Sequence, residues 1–247
     1  MEEFNGIIFY RKKYRENDLL IKMLTDDYGK RSFFIGQGSR KKNRLSYGLQ
    51  DFTLGSYAGR ISNNGFSFVN EVINEEIYSS IYSDIDKGSY VKYVFSLIDS
   101  AFEDGLVIPA WFRILRESLE LIDHDTSPEL IAHAFEIKLL KVFGVNLDFF
   151  SCKICGRDDL PLDLSFKYDG MICSNHQNLD DFRFHLDSRM VKCLQVLTIG
   201  TIKSISKMNL DEKNMKILRD VCDEIYRNYI GIYPKTKSFI DKLRNES

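Results

Sequence analysis

Residues 18–36, DLLIKMLTDDYGKRSFFIG, predict a β-hairpin. The run from Asp18 to Thr25 is rich in residues that favour strands, and Lys30 to Gly36 is a second run of the same kind. Between them, Asp26-Asp27-Tyr28-Gly29 has the composition of a turn. The hairpin therefore lies at the centre of a strand-rich amino-terminal region.

Further strands are predicted on both sides of this hairpin. They cover Gly6 to Tyr10, roughly Leu49 to Arg60, and Phe66 to Val72, the last one after a turn at Asn63-Asn64-Gly65. Five short strands at this spacing favour a small barrel, of which the OB-fold is the commonest five-stranded version. The strand count alone also allows an SH3-like barrel.

The hydrophobic period changes to that of helices from about Ile77 onward. Ser127-Pro128-Glu129 is a strong helix start, and the helix that it opens is predicted to run to Phe143, while Asp187 and Asp211 cap two later helices. We therefore predict an α+β protein with an OB-fold barrel followed by an all-helical domain that carries a zinc-ribbon-like insert. The predicted domains are residues 1–78 for the barrel, 79–149 with 182–247 for the helices, and 150–181 for the insert.

Composition describes a folded protein with an uneven distribution of charge. Of the 247 residues 44% are hydrophobic, no apolar run approaches the ~18 residues that span a bilayer, and no signal peptide is visible. Five cysteines, three of them in one cluster, fit a reducing cytosol, so we expect a cytoplasmic protein with no membrane partner. Residues 1–70 carry a net charge of +5 and the remainder −7, which favours a polyanion-binding face on the barrel.

Two short pairs of metal ligands lie in the predicted insert. Cys152 and Cys155 are separated by two residues, as are Cys173 and His176. This spacing predicts one tetrahedral Cys3His site for a structural Zn²⁺, one per chain, with no open position for a catalytic water. The alternative is a redox-active CxxC pair with an unrelated third cysteine and histidine.

A glycine-rich basic loop follows the hairpin. Its cations are expected to track phosphates without fixed geometry, whereas the alternative is a charged loop that only keeps the protein soluble. A second set of cations lies in the loop between the first two predicted strands and at the start of the third, with Tyr14, Phe33 and Phe34 as candidate stacking surfaces. The first set is Arg40, Lys41, Lys42 and Arg44; the second is Lys12, Lys13, Arg15, Lys30 and Arg31.

Signals of enzymatic activity are weak. Glu136-Ile137-Lys138 has the ExK spacing of metal-dependent nucleases, but it lies within a helical pattern that favours a solvated helix face. We therefore predict no catalytic residues.

The ordered set of motifs resembles the RecO family of bacterial recombination mediators along essentially the full chain. The resemblance rests on the following stretches: Gly6-Ile7-Ile8, Tyr14 to Leu20, Thr25 with Gly29-Lys30, Gly36 to Lys42, Leu49 to Phe52, Phe143-Gly144-Val145, Cys152-x2-Cys155-Gly156, Ser165-x4-Gly170 and Cys173-x2-His176. The family often has a fourth cysteine where this chain has His176, and a histidine there keeps tetrahedral coordination possible.

The resemblance implies a function in DNA repair and recombination. Such proteins bind single- and double-stranded DNA, anneal complementary strands, act with RecR, and help RecA replace single-strand-binding protein (SSB), whose C-terminal tail some of them bind. It also implies a cytoplasmic, nucleoid-associated protein. Two alternatives stay open: a zinc-stabilised adaptor that binds an acidic protein partner, and a metal-dependent nuclease that uses Glu136 and Lys138.

Overall fold

The structure is a computed structural model that describes residues 1–16, 18–36, 45, 48–62 and 64–246. Its strands are β1 (Glu2–Lys13), β2 (Leu19–Thr25), β3 (Gly29–Ile35), β4 (Thr53–Arg60), β5 (Ser67–Ile77), β6 (Leu162–Ser165) and β7 (Gly170–Cys173). Its helices are α1 (Ser79–Ser83), α2 (Ile85–Ala101), α3 (Pro109–Asp123), α4 (Pro128–Leu139), α5 (Ser188–Ile199), α6 (Ile202–Ile205), α7 (Glu212–Ile225) and α8 (Lys235–Glu246).

The first five strands form a closed barrel in the order β1-β2-β3-β5-β4. Every neighbouring pair is antiparallel except β3 and β5, which pair in parallel through Phe33 and Phe34. This is the strand order of an OB-fold, and it is followed by helices. The predicted α+β fold class with an amino-terminal OB-fold barrel is confirmed.

The β2–β3 turn requires a glycine at its last position. Gly29 has φ of +68°, and a Cβ atom there would lie 2.1 Å from the carbonyl oxygen of Leu106. The Thr25 hydroxyl fixes the turn, because it accepts a bond from Tyr28 N at 3.1 Å and donates to Gly29 O at 2.8 Å. The predicted turn is confirmed, and its register brings Leu19 opposite Ile35.

The barrel encloses an apolar core that follows the two-residue period of its strands. Alternate side chains of a strand face opposite sides of the sheet, so Phe33 is fully buried whereas Phe34 points to the outer surface and is partly exposed. Each such buried side chain stabilises the fold by roughly 1.5–3 kcal/mol. The core consists of Phe4, Ile8, Leu19, Ile21, Met23, Phe33, Ile35, Leu49, Tyr57 and Val69.

The chain divides into two compact units, and the first contains residues 1–128 and 235–247. In it, α2 packs on the barrel through Phe95, whose ring stacks on Phe9 at 4.5 Å. Helix α8 is bonded to α2 through the hydroxyls of Ser96 and Thr236, 2.8 Å apart. Helices α1–α3 and α8 thus belong to the same compact unit as the barrel. The predicted division of the chain into three domains stays a prediction.

The second unit, residues 129–234, contains α4–α7 and the β6–β7 hairpin. Helix α4 ends at Leu139, so the predicted end at Phe143 was wrong. The amide of Leu140 bonds to Ile137 O, three residues back, and the chain then continues in turns to Gly144, where φ is +81°. No helix in the described part of the chain is long and apolar enough to cross a membrane.

The two predicted helix caps in this unit are confirmed. The Asp187 carboxylate accepts a bond from Met190 N at the start of α5, and the Asp211 carboxylate accepts one from Asn214 N at the start of α7. These bonds satisfy amides that have no partner within the helix. Both helices therefore begin where the sequence predicted.

Candidate metal centre and nucleic-acid interface

The four predicted metal ligands converge in the second unit. Cys152 and Cys155 lie in a knuckle that Gly156 closes with φ of +73°. Cys173 is the last residue of β7, paired with Leu162 of β6, and His176 follows one turn later. The β6–β7 hairpin thus delivers the second ligand pair to the first.

The distances between ligand atoms match those of a tetrahedral zinc site. Zn–S bonds of about 2.3 Å and Zn–N bonds of about 2.1 Å set edges of roughly 3.5–3.8 Å. His176 Nδ1 lies 3.5 Å from Cys152 Sγ and 3.3 Å from Cys173 Sγ, and the sulfur atoms of Cys155 and Cys173 are 3.7 Å apart. All four ligand atoms lie within 4.8 Å of one another. The cluster has the dimensions and the donor set of a metal site.

The electrostatics of the cluster favour a bound cation. Burial opposes ionisation of Cys152, but backbone N–H groups of Cys155, Cys173 and Ile154 outweigh it and lower the pKa of the thiol to about 6. Burial instead raises the pKa of Cys173, and the neighbouring sulfur atoms raise it further. A divalent cation removes this conflict because it compensates several thiolates at once.

A second buried cluster contains residue types that bind metals, but its side chains are bonded to one another. His133, Glu136 and Cys222 also have donor atoms within 4.8 Å, but His133 Nδ1 is bonded to Glu136 Oε2 at 2.5 Å. Arg219 donates to Glu129, whose carboxylate lies 3.6 Å from His133 Nε2, so charges of opposite sign alternate through the cluster. Burial raises the pKa of Cys222 well above that of a free thiol. We describe this set as a buried charge network between α4 and α7.

The predicted DNA-binding cations of the barrel fall into groups with different placement. Lys12, Lys13 and Arg15, at the end of β1 and in the β1–β2 loop, are exposed. The loop cations Arg40, Lys41, Lys42 and Arg44 lie outside the described residues. Within the described residues, Lys12, Lys13 and Arg15 are therefore exposed to a DNA ligand.

Lys30 and Arg31 are engaged within the protein. Lys30 is only 1% exposed, and its ammonium group lies 2.7 Å from Asp99 Oδ1. Arg31 donates from Nε to Tyr28 O at 2.9 Å and from Nη1 to Ser62 O at 2.6 Å. This placement argues against phosphate contacts by Lys30, because its ammonium group is buried and already paired with a carboxylate.

An aromatic cluster lies on the outer surface of the barrel beside the exposed cations. We call Tyr14, Phe34, Phe66 and Phe68 the aromatic face. The ring of Phe66 lies 5.6 Å from Tyr14 and 6.4 Å from Phe34, and Phe34 lies 5.9 Å from Phe68. Tyr14 is 46% exposed and Phe66 37% exposed. Rings at this spacing form one continuous apolar surface.

Two arginines extend the aromatic face. The guanidinium of Arg60 lies 4.7 Å from the centre of the Phe68 ring, and that of Arg15 lies 5.6 Å from the centre of the Tyr14 ring. Both distances are in the range of cation–π contacts. The aromatic face is therefore bordered by positive charge.

Sequence reasoning missed half of the aromatic face as well as Arg60. It had placed Phe66 and Phe68 at the start of a strand, and their spacing of two residues was the available signal, since such residues share a face of the sheet. Their proximity to Tyr14 and Phe34 depends on the parallel pairing of β3 with β5, which no local pattern indicates.

The two residues of the nuclease motif do not form an open site. Glu136 is 1% exposed and bonded to His133, and Lys138 Nζ donates to Gly200 O at 2.6 Å. A cleavage site needs carboxylates that reach a metal ion and a substrate phosphate. The geometry of Glu136 and Lys138 therefore gives no support to the nuclease alternative.

Comparisons with family models and with individual proteins identify the same family. Residues 1–77 match the family model described as Recombination protein O N terminal, and residues 82–238 match Recombination protein O C terminal. Proteins named DNA repair protein RecO are similar over nearly their full length. The one from Limosilactobacillus reuteri is 38% identical over 98% of this chain and 92% of its own, and the one from Streptococcus thermophilus is 38% identical over 98% and 94%.

Proposed function

The chain belongs to the RecO family of DNA repair proteins, and we propose that it binds single- and double-stranded DNA through its barrel and anneals complementary strands. The observation that carries the proposal is the group of exposed cations Lys12, Lys13 and Arg15 beside the aromatic face. Such cations release counterions when they contact phosphates, and they lower the repulsion between two strands that approach each other.

The proposed contact set follows from the placement of each cation. Lys12, Lys13 and Arg15 form the described part of the set, and Arg40, Lys41, Lys42 and Arg44 of the basic loop complete it. Lys30 and Arg31 are left out because both already have internal partners. The protein has no catalytic residue in this scheme, and annealing needs none, because it proceeds by charge neutralisation and proximity.

Family membership supports the wider proposal. The protein would act with RecR, bind the SSB tail and help RecA replace SSB on gapped DNA, as a cytoplasmic, nucleoid-associated protein. In this scheme, Cys152, Cys155, Cys173 and His176 hold one structural Zn²⁺, which would stabilise the insert and supply no chemistry, since all four positions are filled by protein.

An annealing assay with complementary strands tests the proposal, in the presence and absence of SSB. A charge-reversal variant, Lys12→Glu with Lys13→Glu and Arg15→Glu, should anneal at least ~10-fold more slowly, and each lost phosphate contact should remove about 0.7 from the salt slope on single strands. Reversal of Arg40, Lys41 and Lys42 should have a similar effect.

The matched control makes the same change of charge in the second unit. Lys207, Lys213 and Lys216 are exposed, so their change to glutamate keeps the net charge of the first variant while the barrel stays intact. Equal loss of annealing in both variants would contradict a barrel site. Unchanged DNA affinity in both barrel variants would instead favour the adaptor, in which the cations meet an acidic protein.

A further inference from the structure

We infer that the aromatic face is a stacking platform for unpaired bases, so that different side chains of the barrel serve single-stranded and duplex DNA. The inference rests on the proposed function and specifies the part of the DNA that these rings recognise, which is the unpaired base. Phosphate contacts are common to both forms of DNA, whereas ring contacts are available only to bases whose faces are not covered by neighbours in a duplex.

The sheet register places two rings of the platform, Phe34 and Phe68, in one row that runs around the closed barrel. Lys12 pairs with Leu20, Leu20 with Phe34, Phe34 with Phe68, and Phe68 with Arg60. Directly paired residues point to the same face of a sheet, and this row is the outward one. The row thus has a cation at each end and two aromatic rings between them.

The barrel core does not account for the exposed rings. Phe33 fills the interior at 0% exposure, while its neighbour Phe34 stacks outside on Phe66 with an angle of 21° between the ring planes. Tyr14 meets Phe66 nearly at a right angle, 77°, and both rings keep more than a third of their surface exposed. Exposed aromatic rings that touch one another form a contiguous apolar patch, which marks a binding surface.

Charge identifies the occupant as a nucleic-acid strand. Arg60 and Arg15 lie against rings of the platform and leave the rim positive, and Lys12 lies at the β1 end of the row. Phe34, Phe68 and Arg60 lie on three neighbouring strands, so two strand spacings of about 4.8 Å give this part of the row a length of roughly 10 Å. This span suits a few nucleotides, with phosphates at the cationic rim and bases over the rings; OB-folds have site sizes from about 4 nucleotides upward.

The test uses three probes of equal length: oligothymidylate of about 16 nucleotides, an abasic strand with the same phosphates, and a duplex. The full-length protein should bind oligothymidylate more tightly than the abasic strand. In the variant Tyr14→Leu with Phe66→Leu, affinity for oligothymidylate should fall about 10-fold, while affinities for the abasic strand and the duplex stay unchanged.

Two controls keep the result interpretable. Tyr82→Leu removes an exposed ring from α1 in the same unit and should leave all three affinities unchanged. Phe66→Trp preserves an aromatic ring at the platform, so it should keep affinity for oligothymidylate and gain fluorescence quenching that the wild type, with its single tryptophan, Trp111, lacks.

The outcomes separate the platform from the proposed function. A wild type that binds oligothymidylate and the abasic strand equally would overturn the platform alone, as would an equal loss on all three probes in the double leucine variant. A wild type that binds none of the probes would overturn the proposed function and the platform together.

Discussion

The barrel and the metal segment, residues 150–181, are stabilised in different ways. The barrel closes on itself around an apolar core, whereas the only strands of the metal segment, within the described residues, are the four-residue strands β6 and β7. A two-stranded hairpin of that size has marginal stability by itself. The barrel therefore folds around its own core and leaves the aromatic face on its outer surface, while the metal segment brings together four residues that could hold a metal ion.

The largest expected effect is that of metal loss. Cys173→Ser, or a strong chelator, should unfold the metal segment, because structural zinc contributes on the order of 10 kcal/mol to the folding of small zinc-binding peptides. Hydrogen exchange should then show rapid exchange of the amides in β6 and β7. The barrel strands should keep their protection.

Cys193→Ser provides the matched control for that experiment. Cys193 is buried in α5 and lies outside the four-ligand cluster, so its replacement should leave the metal content at about one zinc per chain. Loss of protection in the barrel after metal removal would contradict the independence of the two regions.

A smaller effect is expected in the barrel, where the adjacent residues Phe33 and Phe34 lie on opposite faces of the sheet, one in the core and one on the outer surface. Phe33→Ala should lower the free energy of unfolding by about 3–5 kcal/mol, because Phe33 is completely buried in the core. Phe34→Ala should cost less than about 1 kcal/mol, because Phe34 lies on the outer surface. Urea unfolding followed by circular dichroism measures both, and equal costs would contradict the strand register.

A third effect, on the dependence of stability on pH, concerns the buried charge network of the second unit. Burial disfavours the imidazolium of His133, but the carboxylate of Glu136, which is hydrogen-bonded to it, and the nearby carboxylate of Glu129 outweigh burial and raise the pKa of His133 to about 9. A raised pKa contributes stability that is complete below the unfolded pKa of about 6.5 and is lost as pH rises through about 9.

The stability of the second unit should therefore fall as pH rises. Between about pH 6 and pH 9.5 this unit should lose on the order of 3 kcal/mol of stability, which hydrogen exchange of the amides in α4 and α7 measures. His133→Asn should make this pH dependence much weaker, whereas His185→Asn, outside the network, should leave it as in the wild type. A wild type whose stability is constant over this range would refute the charged state of His133.

Local patterns were sufficient to predict several features. The turn at Gly29 and the caps Asp187 and Asp211 depend on neighbours a few residues away. The ligand pairs around Cys152 and Cys173 are likewise local, because each spans only four residues.

Features that depend on distant partners were not predictable. The ion pair of Lys30 is one such feature, because its partner Asp99 lies 69 residues away along the chain. No spacing rule connects a strand lysine with an aspartate near the end of a later helix. The aromatic face likewise needs the pairing of β3 with β5, which brings Phe34 opposite Phe68.

We propose that exposed cations of the barrel bind DNA independently of the metal segment and of the buried Lys30. The most direct measurement is the salt dependence of duplex affinity for the wild type, for Lys12→Ala with Lys13→Ala and Arg15→Ala, and for Lys30→Met. The triple variant should lose roughly 2.7 from the slope if each cation contacts one phosphate, and Lys30→Met and chelator-treated wild type should keep the wild-type slope. A slope that falls with Lys30→Met or chelator, but not in the triple variant, would contradict the account.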